Sequence, residues 1–285
     1  MERLRRVLQH IDEHLGTDLS VEALSTVAAT SKYHFHRQFT AAFGIGVHRY
    51  IHLTRLKQAS YRLAFRTQES ILTIALDSGY EGPEAFCRAF KQLTGQTPSE
   101  FRKQPQWPQW RAAWKPVEEI RKVHMKQNWR NEDVQIIQVQ DTPVAMLVHL
   151  GDPSKIGDSI RKFISWRKAA KLSPATSATY NIFYDDPDNT PAEEFRLAIC
   201  AATSAEVAPN ATGVVADVIP GGRCAVLRHV GSEDTFADAV LHLYREWLPH
   251  SGEELRDFPL YCQRVRFYPD VPEQEAVTDI FLPLK

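Results

Sequence analysis

The chain has 285 residues, 43% hydrophobic and 24% charged, the balance of a soluble globular protein with room for roughly two ordinary domains. No apolar run approaches the ~18 residues that a membrane span needs, and residues 1–6 lead into mixed helix rather than a signal core, so a membrane partner is excluded and a cytoplasmic protein is expected. The net charge of -1 divides unevenly: 18 Lys+Arg face 12 Asp+Glu in residues 1–124, and 16 face 23 in the remainder.

Leu4, Val7, Leu8, Ile11 and Leu15 recur at helical spacing and predict a first helix with Gly16 as its stop. Asp18, Leu19 and Ser20 offer N-caps to a short helix over 21–28, and Thr30-Ser31 caps a third. In that third helix Phe35 and Phe39 share one face, which leaves Tyr33, His36 and Arg37 on the other. Two short helices around a tight turn, the second with exposed polar residues, predict a helix-turn-helix. Residues 47 to about 65 form a strut of ~20 residues, roughly 30 Å long, with Arg49, Arg55, Lys57, Arg62 and Arg66 around its apolar positions. The pattern then restarts. Ser70 caps a helix over 71–77, residues 78–80 turn, and Pro83 opens a helix to Gly95 that hides Phe86 and Phe90 and shows Glu84, Cys87 and Arg88. Thr97 begins a closing helix.

Two such units on one strut suit successive major-groove faces, ~34 Å apart along one side of B-DNA, so a single copy can read two grooves. Arginine pairs bidentately with guanine edges, each good contact discriminating by about 1–3 kcal/mol, which nominates Arg37 and Arg88. A lone exposed arginine is usually just solvated; repetition of the whole unit singles out this pair. The basic charge of the first half fits the same partner, double-stranded DNA.

Residues 1–103, with residues 74–80 and 86–102 as the signature, resemble the two-motif DNA-binding domain of the AraC/XylS family. The resemblance implies base-reading positions at Tyr33, His36 and Arg37 in the first reading helix and at Glu84, Ala85, Cys87 and Arg88 in the second, with Ser31 and Lys32 near phosphates. Gly82-Pro83-Glu84 departs from the small polar residues usual there, so the second helix has its own base preference.

Pro105, Pro108 and Pro116 punctuate Trp107, Trp110 and Trp114, and residues 105–131 read as a linker, too proline-rich at first for a helix and too aromatic for a free tether. Beyond it the chain repeats at an offset of eighty: residues 144–151 lie over 224–231, and Ile156, Ile160 and Phe163 over Phe236, Val240 and Leu243. Each copy reads strand, turn, helix and then two strands, over 179–184 with 194–201 and over 260–268 with 276–284. The expected fold is therefore multidomain, α and α+β: an all-α double helix-turn-helix domain (1–104), the linker, and an α+β domain of two βαββ repeats (132–285) with a cleft between the copies. Cys87, Cys200, Cys224 and Cys262 contain no close pair, and His149 and His229, symmetric across the repeat, lack a third ligand, so no cofactor or metal is called for.

Residues 132–285 resemble the GyrI-like effector-binding domain, most clearly at 184–187, 219–226, 246–252 and 278–284. The resemblance implies a cleft for small amphipathic compounds, often cationic, lined by aromatics and addressed by one buried glutamate. After Tyr261, where that glutamate is usual, the chain has Cys262 and Gln263. A neutral thiol cannot draw an organic cation out of water, so a neutral or less strictly cationic effector is expected. Trp166, Tyr180, Phe183, Tyr244, Trp247, Tyr261 and Cys262 are the pocket candidates, with Glu194 and Glu246 as reserve acids. The expected function is a sequence-specific transcription regulator with a small-molecule effector. Two other readings stand: the acidic half as a docking module for a protein such as RNA polymerase, or as a small-molecule hydrolase. No acid and base at a known distance supports the last, and the chain is read as a non-enzyme.

Overall fold

The computed structural model describes residues 1–125 and 127–285 and divides into two compact units. The first holds Met1–Lys126 together with Pro272–Gln274, and the second Gln127–Val271 with Glu275–Lys285.

The first unit is helical: α1 Glu2–Glu13, α2 Val21–Val27, α3 Lys32–Phe43, α4 Val47–Phe65, α5 Ile71–Asp77, α6 Pro83–Thr94, α7 Pro98–Lys103 and α8 Trp107–His124. Side-chain caps set the starts. The Ser20, Ser31 and Ser70 hydroxyls accept from the amides of Ala23, His34 and Thr73, and Thr97 and Glu100 form a capping box on α7. Helix α1 ends at Glu13, short of the expected Gly16, while α3 and α6 end on left-handed Gly44 and Gly95. The tryptophan-rich stretch is a helix throughout. Pro108 lies in its first turn, where the missing N–H has no intrahelical partner to lose, and burial of Trp114, Val117 and Ile120 holds the helix across Pro116.

Helix α4 serves two separate cores. Its first half (Val47, Tyr50, Ile51, Leu53) packs with α1, α2, Phe35, Phe39 and Trp114, and its second half (Leu56, Ala59, Leu63, Ala64) with Ile74, Phe86, Phe90, Phe101 and Trp107. The sequence placed Lys57 on the surface of this strut; the structure corrects that. Lys57 is 4% exposed, lies 4.4 Å from the Trp114 ring centroid, and donates to Glu273 at 2.7 Å. Beside it Arg121, 1% exposed, donates to Glu273 at 2.5 Å, to Asp12 at 2.6 Å and to the Tyr50 hydroxyl at 3.3 Å. Two cations and two carboxylates thus neutralise each other in the interior of the first unit. Burial dominates at Asp12 and raises its pKa to about 6, against the pull of Arg121. Among the described residues no helix is long and apolar enough to cross a membrane.

The second unit is one eight-stranded antiparallel sheet: β1 Val134–Val139, β2 Thr142–Leu150, β3 Thr179–Phe183, β4 Arg196–Ala202, β5 Val215–Ile219, β6 Gly222–Val230, β7 Tyr261–Arg266 and β8 Val277–Pro283. Its order is β1-β6-β8-β7-β3-β4-β2-β5. The two repeats are present with the expected offset, each preceded by one further strand. Those strands, β1 and β5, pair across the repeat, β1 on β6 and β5 on β2. Helix α9 (Ile156–Ala169) packs on β2 and β4, and helix α10 (Phe236–His242) on β6. Both helices cover the same face, since strand alternation puts Ala145, Leu147, Leu197 and Ile199 under Phe163, and Leu227, Ile280 and Leu282 with Ala239.

His149 and His229 end β2 and β6 as buried hydrogen-bonded residues. His149 meets Ser159 at 2.8 Å through Nδ1, and His229 meets Thr235 at 3.0 Å through Nε2. Burial lowers the His229 pKa from 6.5 to about 4. Between those values the unfolded chain binds a proton that the folded chain refuses, so the stability from a neutral His229 is complete above pH 6.5 and falls as the pH drops towards 4. The loss between pH 7 and pH 5 is about 2 kcal/mol. Urea denaturation of a His229→Asn variant at both pH values should show an acid loss smaller by about that amount.

Candidate DNA-reading helices and ligand face

Ser31, Lys32, Tyr33, His36 and Arg37 are all exposed, with Tyr33 at 74%, while Phe35 and Phe39 are fully buried on the same helix. The cap explains Ser31, whose hydroxyl is engaged by its own helix. Lys32 is 3.4 Å from Glu22, and both side chains are largely solvated, so this pair holds the lysine only weakly. On α6, Glu84 and Arg88 are exposed and Ala85 and Cys87 half-buried over the buried Phe86 and Phe90. Burial, and then the Glu84 charge, push the Cys87 thiol up, so it stays neutral. Thr40 and Lys91 extend the two exposed faces by one turn. Both follow from the helical period one turn beyond His36 and Arg88.

The second candidate site is the sheet face opposite α9 and α10. Val144, Met146, Ile182, Ala198, Cys200, Cys224, Tyr261 and Phe281 form its core, with Tyr180, Tyr184 and Phe258 packed against them; no helix residue belongs to this cluster. Tyr261 stacks on Phe281 at 4.8 Å with the rings 4° from parallel, and Tyr180 and Phe258 approach Tyr261 at 6.3 Å and 6.1 Å. Among the described residues the Tyr261 hydroxyl meets only the Cys224 sulfur, at 3.7 Å, and Tyr184 donates to the Met146 sulfur at 3.7 Å.

Residues 132–285, more than half of the chain, match the family model of the GyrI-like small molecule binding domain. The chain belongs to the GyrI-like family. Residues 24–104 match a helix-turn-helix domain model. Over 153 residues the chain is 41% identical to the probable transcriptional regulator YgiV of Escherichia coli (strain K12), a match covering 53% of this chain and 96% of that protein. A stretch of 101 residues is 35% identical to the uncharacterized HTH-type transcriptional regulator SACOL0084 of Staphylococcus aureus (strain COL), covering 35% of this chain and 13% of the relative. Among solved structures, the DNA-binding domain of AdpA in complex with a target DNA is 28% identical, with 36% of this chain and 96% of that one covered and a TM-score of 0.33.

Within the GyrI-like domain, the seven pocket candidates do not converge. Tyr180 and Tyr261 share the helix-free face. Trp166, on α9, and Phe183, on β3, pack against the core between α9 and the sheet, Phe183 and Trp247 also belong to the core under α10, and Tyr244 is 39% exposed. Cys262 is fully buried beside Ile280 on the helix side, because successive residues of β7 point to opposite faces. It therefore does not share the Tyr261 face; the next residue on that face is Gln263, which pairs with Tyr180 and Asp279. Glu194 and Glu246 are exposed.

Proposed function

We propose that the chain is a transcription regulator whose α3 and α6 read double-stranded DNA in successive major grooves and whose GyrI-like domain senses a small amphipathic molecule on its helix-free aromatic face. The observation that carries the DNA half is the duplicated presentation of Arg37 and Arg88: each is exposed on a 12-residue helix whose phenylalanines are buried, and the two motifs share α4. The backbone that carries each arginine is already ordered, so entering a groove costs only side-chain freedom, and arginine supplies two parallel donors to a guanine edge.

Two measurements on an operator selected from random duplexes test it. Arg37→Ala and Arg88→Ala should each cost about 1–3 kcal/mol at one groove and relax base preference there, while Lys32→Ala weakens binding to all sequences and reduces the salt slope by about one charge. An unchanged ratio of specific to nonspecific affinity in Arg37→Ala defeats the assignment of α3 as a reading helix.

A further inference from the structure

The helix-free face carries an unbalanced charge that no sequence motif announced. Arg256, in the loop before β7, donates through Nη1 to the Gly221 carbonyl and through Nη2 to the Pro220 carbonyl at 3.2 Å, and its buried Nε has no partner among the described residues. The guanidinium rests against Gly222, where φ is +130° and a Cβ would collide with Nη1, so the close approach depends on that glycine. Its charge bears on Cys224 and on Tyr261, pulling both downward, although burial wins and keeps both neutral. Two backbone carbonyls satisfy two donors without cancelling the charge, and among the described residues no carboxylate is paired with Arg256.

Nearest to the Arg256 loop, Asp141 accepts from the Gly221 amide at 2.7 Å and Asp257 is exposed. Arg196 holds Asp185 at 2.9 Å, and Arg228 holds Asp279 at 2.7 Å. Asp217 is exposed on β5, accepts from the Val218 amide, and bears on Tyr184 and Cys200 rather than on Tyr261. This end of β6 thus offers donors: the Arg256 Nε–H beside Gly222, two residues along the strand from Cys224, then the neutral Cys224 thiol and the Tyr261 hydroxyl, whose partner among the described residues is that sulfur. Sulfur is a weak acceptor, so the hydroxyl gains by exchanging it for oxygen.

We propose that this face takes an aromatic ligand bearing a carboxylate or comparable anion, and that Arg256 is the residue that selects the negative charge. The proposal rests on the reading of this face as the ligand site. An organic cation would give up its hydration here against a guanidinium, with no free acid beside Tyr261 to compensate. Tyr261 and Phe281 are 3% and 7% exposed, so an arene carboxylate would enter by displacing the half-buried Tyr180, Tyr184 or Phe258 packed against them, and would accept from Nε and from the tyrosyl hydroxyl.

The test uses the full chain and three probes of one shape: 1-naphthoate, 1-naphthylmethanol and 1-naphthylmethyl-trimethylammonium, titrated calorimetrically. The naphthoate should bind at least tenfold more tightly than either of the others. Arg256→Met should remove at least tenfold of its affinity while changing that of the alcohol less than twofold. Naphthylmethanol binding as tightly as naphthoate overturns the role of Arg256 but leaves the aromatic site standing, and preference for the ammonium does the same. Failure of all three probes to bind overturns the ligand-site reading itself. The comparison among probes on the unaltered chain needs no variant, so it decides the matter even where Arg256→Met fails to fold.

Discussion

Glu273→Gln is expected to destabilise the helical unit by about 3–5 kcal/mol, the usual cost of removing one partner from a buried ion pair. Glutamine keeps the shape and one acceptor, so the loss isolates the charge. Arg121 and Lys57 would remain at 1% and 4% exposure with Asp12 as the remaining carboxylate, leaving one positive charge uncompensated in the interior. Glu273 raises the Asp12 pKa by repulsion, so its removal should also bring that pKa down from about 6. Because both cations lie over Trp114, at 4.4 and 5.3 Å, urea denaturation followed by tryptophan fluorescence reads the loss. Adding Arg121→Met should restore part of it, since emptying a buried ion cluster costs less than breaking one. A Glu273→Gln variant as stable as the parent would show that this carboxylate is not charged in the folded protein.

This cluster also marks where the sequence stops being legible. Helix starts, the strut and the strand offsets are local properties: Ser20, Ser31, Ser70 and Thr97 announce the caps, and alternating or four-residue spacing announces the faces. Lys57 looked like one more basic residue on a basic helix because its partner is 216 positions away. A charge pattern carries no record of such a pairing. The same holds for Arg256, whose carbonyl partners lie 35 and 36 positions earlier in a turn. For Cys262 the period of two along β7 already opposes it to Tyr261, and the resemblance to a family position masked that parity. The exposed faces of α3 and α6, by contrast, follow from the buried phenylalanines opposite them.

Those phenylalanines support the other large effect. Phe39→Ala and Phe90→Ala should each cost about 3–5 kcal/mol, since each ring is fully buried among aromatic neighbours that cannot collapse into the space. Phe39 meets Phe43 at 4.6 Å, Phe35 at 5.9 Å and Tyr50 at 6.0 Å; Phe90 meets Phe101 at 5.3 Å and Phe86 at 5.6 Å. The two sets belong to separate clusters on opposite halves of α4, so each substitution loosens one motif and spares the other. Hydroxyl-radical footprinting on the selected operator should then show Phe39→Ala losing protection at the groove assigned to Arg37 and keeping it at that of Arg88, with Phe90→Ala giving the reverse. Loss of both protections together in either variant would mean that α4 couples the motifs into one cooperative reader, and the division into two cores would have no functional consequence.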